Sequence, residues 1–155
     1  MAPKTGSTLN NIERFLGSDL AKEIEFLTAR TRALGSARAN KLLEPLDLKV
    51  RSYSVLSLAC NGLAPTQREL AEFLSLDPSQ IVPLVDGLES KGLVERTSDP
   101  NDRRSKVISG TKAGEKLYKK ARLATAEGES MALEQLSTEE QETLRDLLSR
   151  VAFSA

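Results

Sequence analysis

Two adjacent arginines, Arg103 and Arg104, follow the tight turn Asp99-Pro100-Asn101-Asp102 between two short β-prone runs. A solvated surface turn has no need of a guanidinium pair, whereas a loop that reaches into something negatively charged does. Other chemistry is hard to build from this chain. It has no histidine, which excludes a zinc site made from His and Cys and any catalytic triad or dyad that depends on imidazole. The single cysteine, Cys60, cannot support an intrachain disulfide framework and fits a reducing compartment. No nucleophile–base pair, phosphate-cradling glycine-rich loop or metal cluster appears. An enzyme is therefore the least favoured class, and neither a cofactor nor a metal is expected.

The 155 residues carry no net charge, which argues at first against a polyanionic partner. The distribution reverses that impression. Residues 91–122 hold 10 basic and 4 acidic groups, a local excess of +6, while residues 123–155 hold 2 and 7, a local −5. The positive charge is gathered around the arginine pair. Charge runs are usually solvated faces, but a local excess matters for phosphate binding where a neutral average does not.

The elements that must position the pair can be read from caps and periodicity. Length and composition suit one soluble domain. No apolar run approaches a membrane span and MAPKTGSTLNN lacks an apolar h-region, so a cytoplasmic protein with no membrane partner is expected. Residues 1–9 read as a flexible tail. Asn10 and Glu13 have capping-box spacing, and Gly17 reads as a stop or kink. From Ser18, Leu20, Ile24, Leu27 and Leu34 keep to one face of a long helix ending before Pro45. Val50 to Cys60 is a second helix stopped at Gly62.

Thr66-Gln-Arg-Glu69 is a capping box that opens a helix through Leu74. After a tight turn at Ser75-Leu76, Asp77 caps another helix, with Pro78 in its first turn and Gln80 at the third position. Ile81, Leu84, Val85 and Leu88 form its buried stripe. Two short helices joined by such a turn make a helix-turn-helix. Leu93–Thr97 and Lys106–Ser109 are expected as strands of an antiparallel hairpin closed by Asp99 to Arg104. Thr111 caps a long helix, and Ser137 with Glu140 opens a last one, striped by Leu144, Leu147, Leu148 and Val151. Glu139, Glu140 and Glu142 crowd the start of that helix, where they favour its dipole. The class is mainly α: a winged helix-turn-helix with a two-stranded β-wing, framed by N- and C-terminal helices.

With those elements in order, Gln67-Arg68-Glu69-Leu70-Ala71, Leu84-Val85-Asp86-Gly87-Leu88-Glu89, Gly92-Leu93-Val94-Glu95-Arg96 and Asp99-Pro-Asn-Asp-Arg-Arg104 together resemble the core of the MarR family of bacterial transcriptional regulators. The resemblance covers Leu48 to about Leu117. It implies a single domain over 10–155, with 10–44 and 112–153 as dimerisation helices and 48–111 as the DNA-binding lobe. It implies a homodimer on a pseudo-palindromic operator in double-stranded DNA, acting most often as a repressor relieved by a small, aromatic or phenolic effector. The two outer apolar stripes agree, having too few partners within one small winged helix.

By the same resemblance, Arg103 would enter the minor groove, where a narrow A·T tract concentrates negative potential. Arg104 would pair with Asp102 or Asp86 and hold the wing against the recognition helix. Ser79 and Gln80 would read bases, and Thr66, Gln67, Arg68 and Lys106 would meet phosphates. The pattern departs at Pro83 and Val82, where the family often carries Arg and Thr, and a kink or bulge is expected at Pro83. That departure keeps an alternative open: a winged-helix protein-interaction module, or a degenerate regulator without specific DNA binding. Phe26, Arg30 and Tyr53 are candidates for an effector cavity, with core packing the competing role. Cys60 is expected as a small buried hydrophobe, although some members of the family sense peroxide through cysteine.

Overall fold

The computed structural model describes residues 12–154. These fall into two compact units that divide after Ala37. The first contains turns around Phe15 and Gly17, a 3-10 turn at Leu20–Lys22, and most of helix α1, Ile24–Leu43. The helix begins later than its periodicity suggests. Glu23 is extended at φ −72° and ψ 128°, and its carbonyl accepts the first α1 hydrogen bond, from the Leu27 N–H at 3.0 Å. Leu20 is therefore outside the stripe it was expected to join. Asn10, the other half of the expected N-terminal capping box, lies outside the described residues. Ile24, Leu27 and Leu34 are exposed, Ile24 to 81%.

The second unit runs from Arg38 and holds the core. Its elements are α2 (Val50–Cys60), α3 (Gln67–Leu74), α4 (Pro78–Ser90), β1 (Val94–Ser98), β2 (Lys106–Gly110), α5 (Lys112–Ala132) and α6 (Thr138–Ala152). A 3-10 turn at Glu44–Leu46, with Pro45 inside it, ends α1, and Asp47 leaves it in the left-handed region at φ 53°. Asn40 then receives the Val50 N–H on Oδ1 at 2.8 Å, fastening the start of α2 to the end of α1.

The core gathers Leu43, Val55, Leu56, Leu70, Ile81, Val85, Leu88, Val94 and Ile108, with Ala121 from α5. Full burial of side chains such as Ile81 or Leu88 stabilises by roughly 1.5–3 kcal/mol each, so this cluster fixes how α3 and α4 meet α2. On β1 burial alternates, but on β2 two neighbours turn to the core. Val94 on β1 is buried, and on β2 Val107 and Ile108 are buried beside exposed Lys106. The strands pair antiparallel from Val94↔Gly110 to Ser98↔Lys106, each one residue longer or later than the sequence pattern indicates.

Glycine makes the seat of α5 possible. A Cβ at Gly114 would collide with the Leu93 carbonyl and approach Leu56, so the helix lies against the chain that enters β1. Thr111 caps α5 by accepting from the Gly114 N–H at 3.0 Å, and its hydroxyl donates to the Gly92 carbonyl at 2.6 Å. By contrast, α6 buries none of its residues: Leu144 is half-buried, Leu147 and Leu148 are exposed, and Val151 is 78% exposed.

Candidate nucleic-acid interface

Two capping boxes set the framework. At α3, Thr66 Oγ1 accepts from the Glu69 N–H at 3.2 Å, and Glu69 Oε2 accepts from the Thr66 N–H at 2.7 Å. The Thr66 N–H, and then the Thr66 hydroxyl donating to the same Oε2 at 2.9 Å, hold the Glu69 carboxyl below its usual range. At α4, Asp77 Oδ1 accepts from the Ser79 N–H at 2.8 Å, and Gln80 Oε1 accepts from the Asp77 N–H at 3.3 Å. The Ser79 hydrogen bonds lower the Asp77 carboxyl likewise. Ser75, left-handed at φ 51°, makes the turn between the two helices.

The second helix of the pair, α4, is continuous from Pro78 to Ser90 with Pro83 inside it. Where a kink or bulge was expected at Pro83, the helix runs on unbroken with the proline ring exposed. At the C-terminal end, Lys91 Nζ binds Asp47 Oδ2 at 2.6 Å and the Asp47 carbonyl at 3.1 Å. The lysine's hydrogen bond and charge lower the Asp47 carboxyl.

The hairpin between β1 and β2 is closed by its own aspartates. Asp99 Oδ1 accepts from the Asn101 N–H at 2.8 Å, and Asp102 Oδ1 accepts from the Arg104 N–H at 3.0 Å. The main chain adds Asp99 N–H to Ser105 O at 3.0 Å and Ser105 N–H to Asp102 O at 2.9 Å. Such side-chain hydrogen bonds to the local backbone stand in for turn geometry. They hold the loop while Arg103, Arg104 and Lys106 remain exposed. Among the described residues none of these three forms an ion pair. The base of the wing is fixed by the Ile108 N–H donating to the Pro65 carbonyl at 2.8 Å, and by a bridge between Thr66 and Val107.

The tie between wing and recognition helix was expected from Arg104. It is made by Arg96. The Arg96 guanidinium binds Asp86 and Glu89, both on α4, and donates to Gln67 Oε1 on α3 from Nη2 at 3.0 Å and Nε at 3.2 Å. Its N–H also donates to Glu89 Oε1 at 3.2 Å. Burial opposes the charge, but the two carboxylates outweigh it and raise the arginine above its already high range. Asp86 thus supports the wing, through Arg96, while Asp102 reaches Arg104 only through the main chain. A sequence signal for Arg96 existed. Alternation places it on the face of β1 shared with buried Val94, and Asp86 with Glu89 has the i, i+3 spacing of one helix face.

The other candidate residues fall into two groups. Thr66 and Gln67 are engaged within the fold, while Arg68 pairs with Glu72 at 3.0 Å with both side chains largely in water, a weak pair that a phosphate can displace. Phe26 is half-buried and Arg30 exposed on α1. Tyr53 stacks on Tyr118 of α5, with centroids 6.1 Å apart and planes at 27°, which favours its packing role. Cys60 is half-buried rather than sealed. Burial first and the Glu115 charge second push its thiol up, which makes it a poor nucleophile.

A helix-turn-helix whose second helix is clamped to a cationic β-wing is a winged helix-turn-helix, an architecture that suits the second helix to the major groove of DNA. Comparison with known proteins agrees. The MarR family description matches residues 48–106. The multiple antibiotic resistance protein MarR of Escherichia coli (strain K12) is 32% identical over 114 residues, 72% of this chain and 78% of that protein. A MarR-family transcriptional regulator from Rhodococcus sp. RHA1 superposes with a TM-score of 0.84 at 40% identity, covering 89% of this chain and 98% of that one. CouR from Rhodococcus jostii RHA1, solved bound to p-coumaroyl-CoA, gives 0.81 at 41% identity over 89% and 97%. MepR of S. aureus, solved as a DNA complex, gives 0.72 at 26% identity over 86% and 98%. The chain belongs to the MarR family and is a DNA-binding transcriptional regulator.

Proposed function

We propose that the chain works in the cytoplasm as a homodimeric repressor on a pseudo-palindromic operator and is released by a small aromatic ligand. The observation that carries this reading is the wing: an exposed arginine pair on a loop braced by Asp99 and Asp102, joined to α4 through Arg96. Arg103 enters the minor groove, Arg104 and Lys106 meet flanking phosphates, and Ser79 and Gln80 approach base edges. Thr66, Gln67 and Arg68 lie at the start of α3, where the helix N-terminus attracts phosphate. The exposed apolar residues of α6 support a dimer made by the outer helices, which sets two recognition helices about 34 Å apart on one face of DNA.

The effector reading is supported by the 41% identity to CouR, whose bound p-coumaroyl-CoA carries a phenolic acyl group. Within the first unit, Phe26 and Arg30 are the proposed contacts, while Tyr53 keeps the packing role that its stacking on Tyr118 favours. One observation favours a second reading, an interaction module without specific DNA binding: α4 has no Lys or Arg anywhere in its span.

Mobility shift with DNA flanking the chain's own gene, over a salt series, separates the two. Nanomolar binding with a steep salt slope supports the repressor; weak binding indifferent to sequence supports the module. Sedimentation at micromolar concentration should show a dimer, and a monomer there would sink the operator geometry.

A further inference from the structure

The face that α4 turns to solvent is unusual for a helix meant to lie on DNA. Its core side is taken by Ile81, Leu84, Val85 and Leu88, which leaves Ser79, Val82, Pro83, Asp86 and Gly87 outward. Val82 is 40% exposed, the Pro83 ring is exposed, and nothing lies within 4 Å of a Cβ placed on Gly87. The two carboxylates on this side, Asp86 and Glu89, are both bound by Arg96, and Lys91 beyond them is held by Asp47. The middle of the helix therefore offers a low, apolar surface whose charges are already compensated within the protein.

Such a surface cannot read guanine through a guanidinium. The major-groove edge of B-DNA offers one apolar group, the C5 methyl of thymine. Taking α4 as the recognition helix of the DNA-binding reading above, we infer that Val82 and Pro83 select thymine methyl groups in each half-site. Pro83 suits the task because its ring adds carbon surface at fixed φ without a side-chain polar atom needing a partner. Gly87, one turn further on, lets the helix backbone settle close to the base edges. Arg96 serves the same end by cancelling carboxylates that would otherwise face phosphates. Methyl contact by Val82 and Pro83 thus adds to the base reading assigned to Ser79 and Gln80, while the wing supplies affinity that does not depend on sequence.

The test begins with selection of preferred duplexes from a random pool by the full-length protein. Each thymine of the selected site is then replaced by deoxyuridine, which removes only the methyl group. One or two positions per half-site should lose about fourfold in affinity, the value of one buried methyl, with the salt slope unchanged. Val82→Ala should bind the thymine duplex less tightly and lose its own share of the uracil penalty, and Val82→Thr should fall between. Pro83→Ala should act alike at a neighbouring position. A selected site indifferent to uracil at every position overturns methyl reading while the regulator reading stands. Full retention of the uracil penalty in both Val82→Ala and Pro83→Ala overturns it equally. Recovery of no preferred duplex overturns it together with the DNA-binding reading and leaves this face to a protein partner.

Discussion

Arg96 and Asp86 are joined across the gap between β1 and α4, the first ten residues after the second in the chain. The same guanidinium takes Glu89 and the Gln67 amide oxygen, so one side chain links both helices of the helix-turn-helix to the strand that leads into the wing. Its own side chain is only 21% exposed, while Asp86 is 59% exposed.

Replacing Arg96 should therefore act on two levels. Arg96→Ala should lower stability by about 1 kcal/mol, a value kept small because the carboxylates remain in contact with water. It should weaken DNA binding by more than that loss of stability explains, because the wing is unhooked and two carboxylates are uncovered beside the groove. Arg96→Lys should recover charge but not the forked geometry, and so restore only part of the binding. Urea unfolding and fluorescence anisotropy on one operator would check both; unchanged affinity in Arg96→Ala would rule out the clamp.

How far the sequence reached depended on the range of the interactions. The capping boxes at Thr66/Glu69, Asp77/Gln80 and Ser137/Glu140 were readable because both partners lie within three residues, and each forms as expected. The winged helix followed from their order. The Arg96 cluster was not readable in the same way, since Gln67 is 29 residues from Arg96 and three-residue spacing cannot choose between Arg96 and Arg104 as the partner of Asp86. Periodicity also failed at Leu20, because an apolar stripe carries no mark of the extended backbone at Glu23 that starts α1 afresh.

A pH experiment isolates the caps. Glu69 and Asp77 have ordinary values of 4.5 and 3.8, and folding lowers both. Lowered carboxyl values favour the native state in full above about pH 5, and that contribution drains away as pH falls through the folded values. Asp77→Asn and Glu69→Gln keep an acceptor but cannot titrate. The stability gap between wild type and these variants should be widest near neutrality and shrink below about pH 4. With no histidine in the chain, stability should change little between pH 6 and 8. Chemical denaturation from about pH 3 to pH 8 would expose the error if the gap stays flat at low pH.

Arg103 and Gln80 should fail differently. Arg103→Ala removes a charge from the wing, so it should weaken binding to most sequences and reduce the salt slope by about one phosphate-equivalent per subunit. Gln80→Ala is neutral to that slope and should cost about 1–3 kcal/mol on the preferred operator, relaxing base choice at one position of each half-site. It also removes the acceptor for the Asp77 N–H, so folded content by circular dichroism belongs beside the titrations. Two variants that bind like wild type would remove both elements from the interface.

Gly87 should show stability and binding moving in opposite directions. It lies within α4, exposed, with open space where a Cβ would go, so the fold itself gives no reason for glycine there. Glycine in a helix interior is about 0.8–1 kcal/mol less favourable than alanine. Gly87→Ala should therefore stabilise the protein, raising Tm by about 2–4 °C for a chain of this length. On DNA the added methyl stands between the helix backbone and the base edges, on the side of α4 that also presents Gln80 and Pro83. Operator affinity should fall several-fold, while binding to random DNA, carried by the wing, should hardly change. Calorimetry and anisotropy on the same preparation would read both effects. A variant that is more stable and binds the operator as well as wild type would mean that α4 does not lie close against the groove at Gly87.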